Sequence, residues 1–81
     1  MKFLHTMIRV KDIEKSLAFY SDVLNMKLDH KKRLEDCWLY FLNDEENTCQ
    51  IELTYNDETP EGGYELGSGF GHFAFSVESL D

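Results

Sequence analysis

The stretch QIELTYND, residues 50–57, decides the fold. Ile51, Leu53 and Tyr55 alternate with Glu52 and Thr54, the period-two pattern of a half-buried strand. Strands disfavour glutamate, so Glu52 asks for a reason, and that reason depends on what shares its face.

The period of two continues on both sides of this strand. CWLYFLN (37–43) reads as the strand before it, DEENT (44–48) as the turn between them, and MKLDHKKRLE (26–35) as a further strand. Upstream, Ile13, Leu17, Tyr20 and Leu24 recur at helical spacing and form one face of a helix of about three turns. Asp12 is a good N-cap with Glu14 in the first turn, and Asn25 tolerates the left-handed conformation that ends a helix. FLHTMIRV (3–10) is the first strand, with Leu4, Thr6, Ile8 and Val10 on one face and Phe3, His5, Met7 and Arg9 on the other. Downstream, DETPEGGYELGSG is a polar loop holding the only proline, and FGHFAFSV (70–77) restores alternation as one more strand. It places Phe73, Phe75 and Val77 opposite His72, Ala74 and Ser76.

The order predicted is β-α-β-β-β and then a further β, an α+β arrangement. One helix can cover only one face of a sheet, and the face bearing Leu4, Ile8 and Val10 is the apolar one. The other face carries His5, Arg9, Glu52, Thr54 and Asn56, too polar for a second core, and reads as a lined cleft.

Composition narrows the partners. A net charge of −8 argues against a nucleic-acid or anionic-membrane surface, while leaving room for a small anionic ligand held by a local cation. No apolar run approaches the ~20 residues of a membrane helix, and the alternating, histidine-bearing start is unlike a signal-peptide core. Cys37 and Cys49 lack CxxC spacing. A hairpin centred near Glu45 sets Cys49 opposite Phe41, so both read as free thiols of a reducing cytoplasm.

Taken singly, His5 and His72 are ordinary structural histidines, Glu52 a solvated residue and Arg9 a snorkelling one. Together they place two imidazoles and a carboxylate on three strands, each away from the helix-packing residues. Such a donor set suits nickel, zinc, cobalt or iron and leaves positions open for water. GSGFG leads into a strand rather than a helix, so it is no phosphate cradle. Trp38, Tyr40 and Phe41 read as core or interface, and His30 as part of a solvated, mixed-charge strand.

LHTMIRVKDIEKSLAFYSDVLNMKL, IELTYN and YELGSGFGHFAFSV, in that order, resemble bacterial glyoxalase I (lactoylglutathione lyase) of the vicinal oxygen chelate superfamily, over essentially the whole chain. The resemblance implies one βαβββ module (1–57), a loop (58–68) and the first strand of a second module (69–78), an incomplete single domain. It implies His5 and Glu52 as metal ligands from one protomer and His72 as a ligand reaching the metal from the other, in a homodimer with a shared active site. Arg9 and Asn56 match positions that hold glutathione. The implied reaction turns the methylglyoxal–glutathione hemithioacetal into S-lactoylglutathione, with nickel or cobalt favoured and zinc possible. The family's fourth ligand and candidate base, a second glutamate, has no match here, since Glu65 and Glu78 lie outside its motif. The chain therefore reads as an N-terminal portion of a longer enzyme. A non-catalytic sequestering relative and a dioxygenase-like relative are the alternatives.

Overall fold

A computed structural model describes residues 1–78. Its elements are β1 (His5–Arg9), α1 (Ile13–Ala18) continued by a π-helical turn (Phe19–Val23), β2 (Lys27–Arg33), β3 (Cys37–Asn43) and β4 (Gln50–Asn56). The helix starts where expected: Asp12 is extended (φ −120°), and its carboxylate accepts a hydrogen bond from the Lys15 backbone N–H at 3.1 Å. It then widens, with Leu24 N–H donating to the Phe19 carbonyl at 3.3 Å. Asn25 ends it at φ 55°, and Met26 N–H donates back to the Tyr20 carbonyl at 2.9 Å.

The four strands form one mixed sheet in the order β1-β4-β3-β2, with β1 parallel to β4 and the other pairs antiparallel. Met26, Leu42, Ile51 and Leu53 are the buried centre of the core, and Ile8, Val10, Ile13, Leu17, Tyr20, Leu24 and Tyr40 pack against them. Leu42 and Leu53 are fully buried, each worth roughly 2 kcal/mol of apolar transfer. The helix thus covers the face that the alternation assigned to it. The architecture is α+β, a four-stranded mixed sheet with one helix on one face, and its β-α-β-β-β order is the one expected.

Four details depart from the sequence reading. β1 and β2 are shorter than expected at both ends, and Leu4, ahead of β1, is exposed rather than in the core. The hairpin turns later than Glu45: Phe41 pairs with Glu52, and Asp44 N–H donates to the Cys49 carbonyl at 3.3 Å. The Asp44 carboxylate causes this shift. It accepts from the Thr48 N–H at 2.7 Å and from the Thr48 hydroxyl, while Asn47 takes φ 56°. The thiols remain free, as expected.

In β2, register shifts by one residue between Leu28 and His30. Such a bulge moves every later side chain to the opposite face. Finally, residues 70–77 keep their alternation but find no ladder among the described residues, and Phe73, Phe75 and Val77 stay exposed. A strand is defined by its pairing, and here no pair forms.

Candidate active site

The strand register gathers the site on the face away from the helix. Across β1, β4 and β3, one row is His5–Gln50–Asn43, the next is Met7–Glu52–Phe41, and the third is Arg9–Thr54–Leu39. His5 and Glu52 are therefore diagonal neighbours. Their side chains converge, with His5 Nε2 at 2.9 Å from Glu52 Oε1. Glu52 is buried at 9% exposure although it carries a carboxylate, and His5 closes its solvent side. The second Glu52 oxygen, Oε2, accepts from the Thr54 hydroxyl at 3.4 Å.

These two donors fit a divalent ion. Two ligand atoms bound at about 2.1 Å and at a right angle to each other stand about 3 Å apart, close to the separation here. Thr54, holding the other carboxylate oxygen, is the kind of outer contact that orients a ligand. His72 is not part of this arrangement within one chain. It lies with Thr6, Leu24 and Ile51 around an open cavity of about 1070 Å³. Among the described residues, no three histidine, cysteine, aspartate or glutamate side chains are grouped to hold a metal.

Arg9 and Asn56 lie toward the other end of the same face. Asn56 lies four residue steps along the strand from Glu52, about 13 Å at ~3.3 Å per step. Arg9 is exposed and makes no ion pair among the described residues. Asn56 Nδ2 donates to the Tyr64 hydroxyl oxygen at 2.8 Å.

Several residues of this face escaped the sequence reading. Phe41 stands beside Glu52, with the His5 ring edge-on at 5.5 Å and the His30 ring stacked at 4.4 Å. The bulge at Asp29 puts His30 there, and Asp29 Oδ2 holds its Nδ1 at 2.5 Å. That contact, helped by Asn43, keeps the Asp29 carboxyl below its ordinary range. Asn43 Nδ2 donates to Asp29 Oδ1 at 3.3 Å, and Gln50 Nε2 donates to Asn43 Oδ1 at 2.8 Å. A polar chain thus crosses from β2 to the neighbour of His5.

Comparison with known proteins supplies the family. Residues 2–81 match the model of the Glyoxalase/Bleomycin resistance protein/Dioxygenase superfamily. The chain belongs to this superfamily. Among curated members, it is 46% identical over 84 residues to a Synechocystis protein named probable lactoylglutathione lyase, covering 99% of the chain and 63% of that protein. A Neisseria meningitidis lactoylglutathione lyase is 43% identical over 82 residues, covering 96% and 58%. The trypanothione-dependent glyoxalase I of Leishmania major superposes with a TM-score of 0.80 at 36% identity, over 96% of this chain and 58% of that one. The chain therefore spans about three fifths of the length of each of these three relatives. No helix among the described residues is long and apolar enough to cross a membrane.

Proposed function

We propose that the chain is the N-terminal part of a metal-dependent lactoylglutathione lyase that isomerises the hemithioacetal of methylglyoxal and glutathione to S-lactoylglutathione. The observation that carries this reading is the 2.9 Å convergence of His5 Nε2 and the buried Glu52 Oε1 on a polar sheet face. The relatives named lactoylglutathione lyase support it.

In this reading His5 and Glu52 hold the ion from one protomer and His72 of a second copy completes the set in a homodimer. Nickel or cobalt is favoured and zinc is possible. The bound ion supplies positive charge that stabilises the substrate oxygens as the carbon-bound proton moves. The chain's own residues bind and orient. Arg9, the cation near the far end of the face, pairs with a glutathione carboxylate, and Asn56 hydrogen-bonds the peptide. The ~13 Å from Glu52 to Asn56 leaves room for glutathione along the face with its sulfur toward the ion and one peptide arm toward Asn56. Phe41, between His5 and His30, walls the reacting end against water.

The division into a first module (1–57), a loop (58–68) and an opening strand of a second module (69–78) belongs to the same proposal. So does a second glutamate, supplied by the second module, as base. Two free thiols suit a reducing cytoplasm, and the acidic charge suits a small-molecule substrate rather than nucleic acid or membrane.

The test is S-lactoylglutathione formation, followed by thioester absorbance, in the full natural chain. Activity lost on chelation and restored by nickel or cobalt is the expected result. Absence of metal-dependent turnover would overturn the reading. Tight ligand binding without turnover would favour sequestration, and oxygen uptake with a catechol would favour a dioxygenase.

A further inference from the structure

The loop after β4 is built onto the end of the candidate cleft at several points. The Thr59 hydroxyl donates to the Asn56 carbonyl at 3.1 Å, and Gly63 N–H donates to the Pro60 carbonyl at 2.9 Å. Lys11 Nζ, at the junction of β1 and α1, donates to the Glu61 carbonyl. Gly63 sits at φ 87°, a conformation that L side chains rarely adopt. This turn sends Tyr64 back against the sheet, half-buried, where its hydroxyl oxygen accepts from Asn56 Nδ2 at 2.8 Å.

A side-chain amide can flip and present either a donor or an acceptor to a ligand. The contact holds the Asn56 side chain in place, and with Nδ2 donating to Tyr64 its Oδ1 is left to accept. We infer that Tyr64 is a positioning residue: its hydroxyl holds the Asn56 side chain so that Oδ1 receives an N–H of a peptide-like ligand at the Arg9 end of the cleft. The inference rests on the reading of this face as a glutathione site. It adds to that reading an orienting hydroxyl and a loop that holds it. The strap 57–64 thereby becomes part of the binding surface, and its proline and Gly63 set where Tyr64 arrives.

The experiment uses S-methylglutathione as probe, titrated by calorimetry into the full natural protein and its Tyr64→Phe, Asn56→Ala and double variants. Tyr64→Phe keeps the ring and removes one hydroxyl. It should weaken binding about fivefold, and the double variant should bind no worse than Asn56→Ala alone. A structural loss would instead multiply the two effects. The Asn56 side-chain amide should give a shifted, slowly averaging pair of NMR signals in the parent that moves toward free-asparagine values in Tyr64→Phe. Unchanged affinity in Tyr64→Phe, multiplied losses, or unchanged amide signals overturn the positioning role while leaving the site. A parent that fails to bind the probe overturns the site reading and the inference with it.

Discussion

His5 and Glu52 touch although they are not register partners: the sheet pairs His5 with Gln50 and Met7 with Glu52, yet the imidazole and carboxylate meet at 2.9 Å. The diagonal leaves Met7 alongside Glu52 and directs both polar groups to one point. It also explains how a carboxylate can be buried in a strand, since its charge is faced by an imidazole and a hydroxyl.

Glu52→Gln tests the point of convergence. The amide keeps the shape and loses the charge, so nickel affinity should fall at least tenfold. Elemental analysis after dialysis against nickel checks this, and equal stoichiometry in variant and parent would remove Glu52 from the ligands.

Leu53→Ala tests the core beneath the site. Leu53 is 0% exposed on β4, directly behind the polar face. Its truncation should cost about 2–5 kcal/mol, a large share of the stability of so small a unit. Urea titration followed by Trp38 fluorescence measures it, and a shift below about 1 kcal/mol would show a core that collapses around the gap.

Acid should reveal the Arg33–Asp57 pair. Arg33 Nη1 and Nη2 donate to the two Asp57 oxygens at 2.8 and 2.6 Å and hold its carboxyl below the ordinary range. A depressed carboxyl stabilises the fold above its unfolded value of about 3.9, and the contribution fades as pH falls through the lower, folded value. Asp57→Asn should therefore reduce stability at neutral pH and flatten the loss below about pH 4. Both partners are well exposed, so the effect should be small and salt-sensitive. Thermal melts across that pH range decide it, and parallel acid limbs in parent and variant would refute it.

The thiols should differ in rate. Cys37 is buried, and burial together with the neighbouring Asp36 pushes its thiol up. Cys49 is half-buried at the hairpin end. A disulfide-exchange reagent should modify Cys49 first and Cys37 only with unfolding. Two equal fast phases would contradict this.

The polar face was legible because alternation assigns sides without needing register: His5, Arg9, Glu52 and Asn56 fell on one side from the pattern itself. His30 was not legible. A single extra residue at Asp29 reverses its side, and no period counts an unpaired residue. Tyr64 was hidden for a different reason, because its contact depends on the path of a loop set by Gly63. In 70–77 the pattern of a strand is present, and among the described residues the ladder that would make it one is not.

Among the described residues β1 pairs only with β4, and it does so in parallel, across the whole of the helix and the β2–β3 hairpin. Antiparallel β2, β3 and β4 can zip through short turns, whereas this last pairing must close the longest loop in the sheet. The His5–Glu52 pair therefore reports on completion. A nascent or partly opened chain can hold its hairpins and still keep His5 and Glu52 apart, so under the proposed function metal capture would mark the molecules in which the first strand has docked.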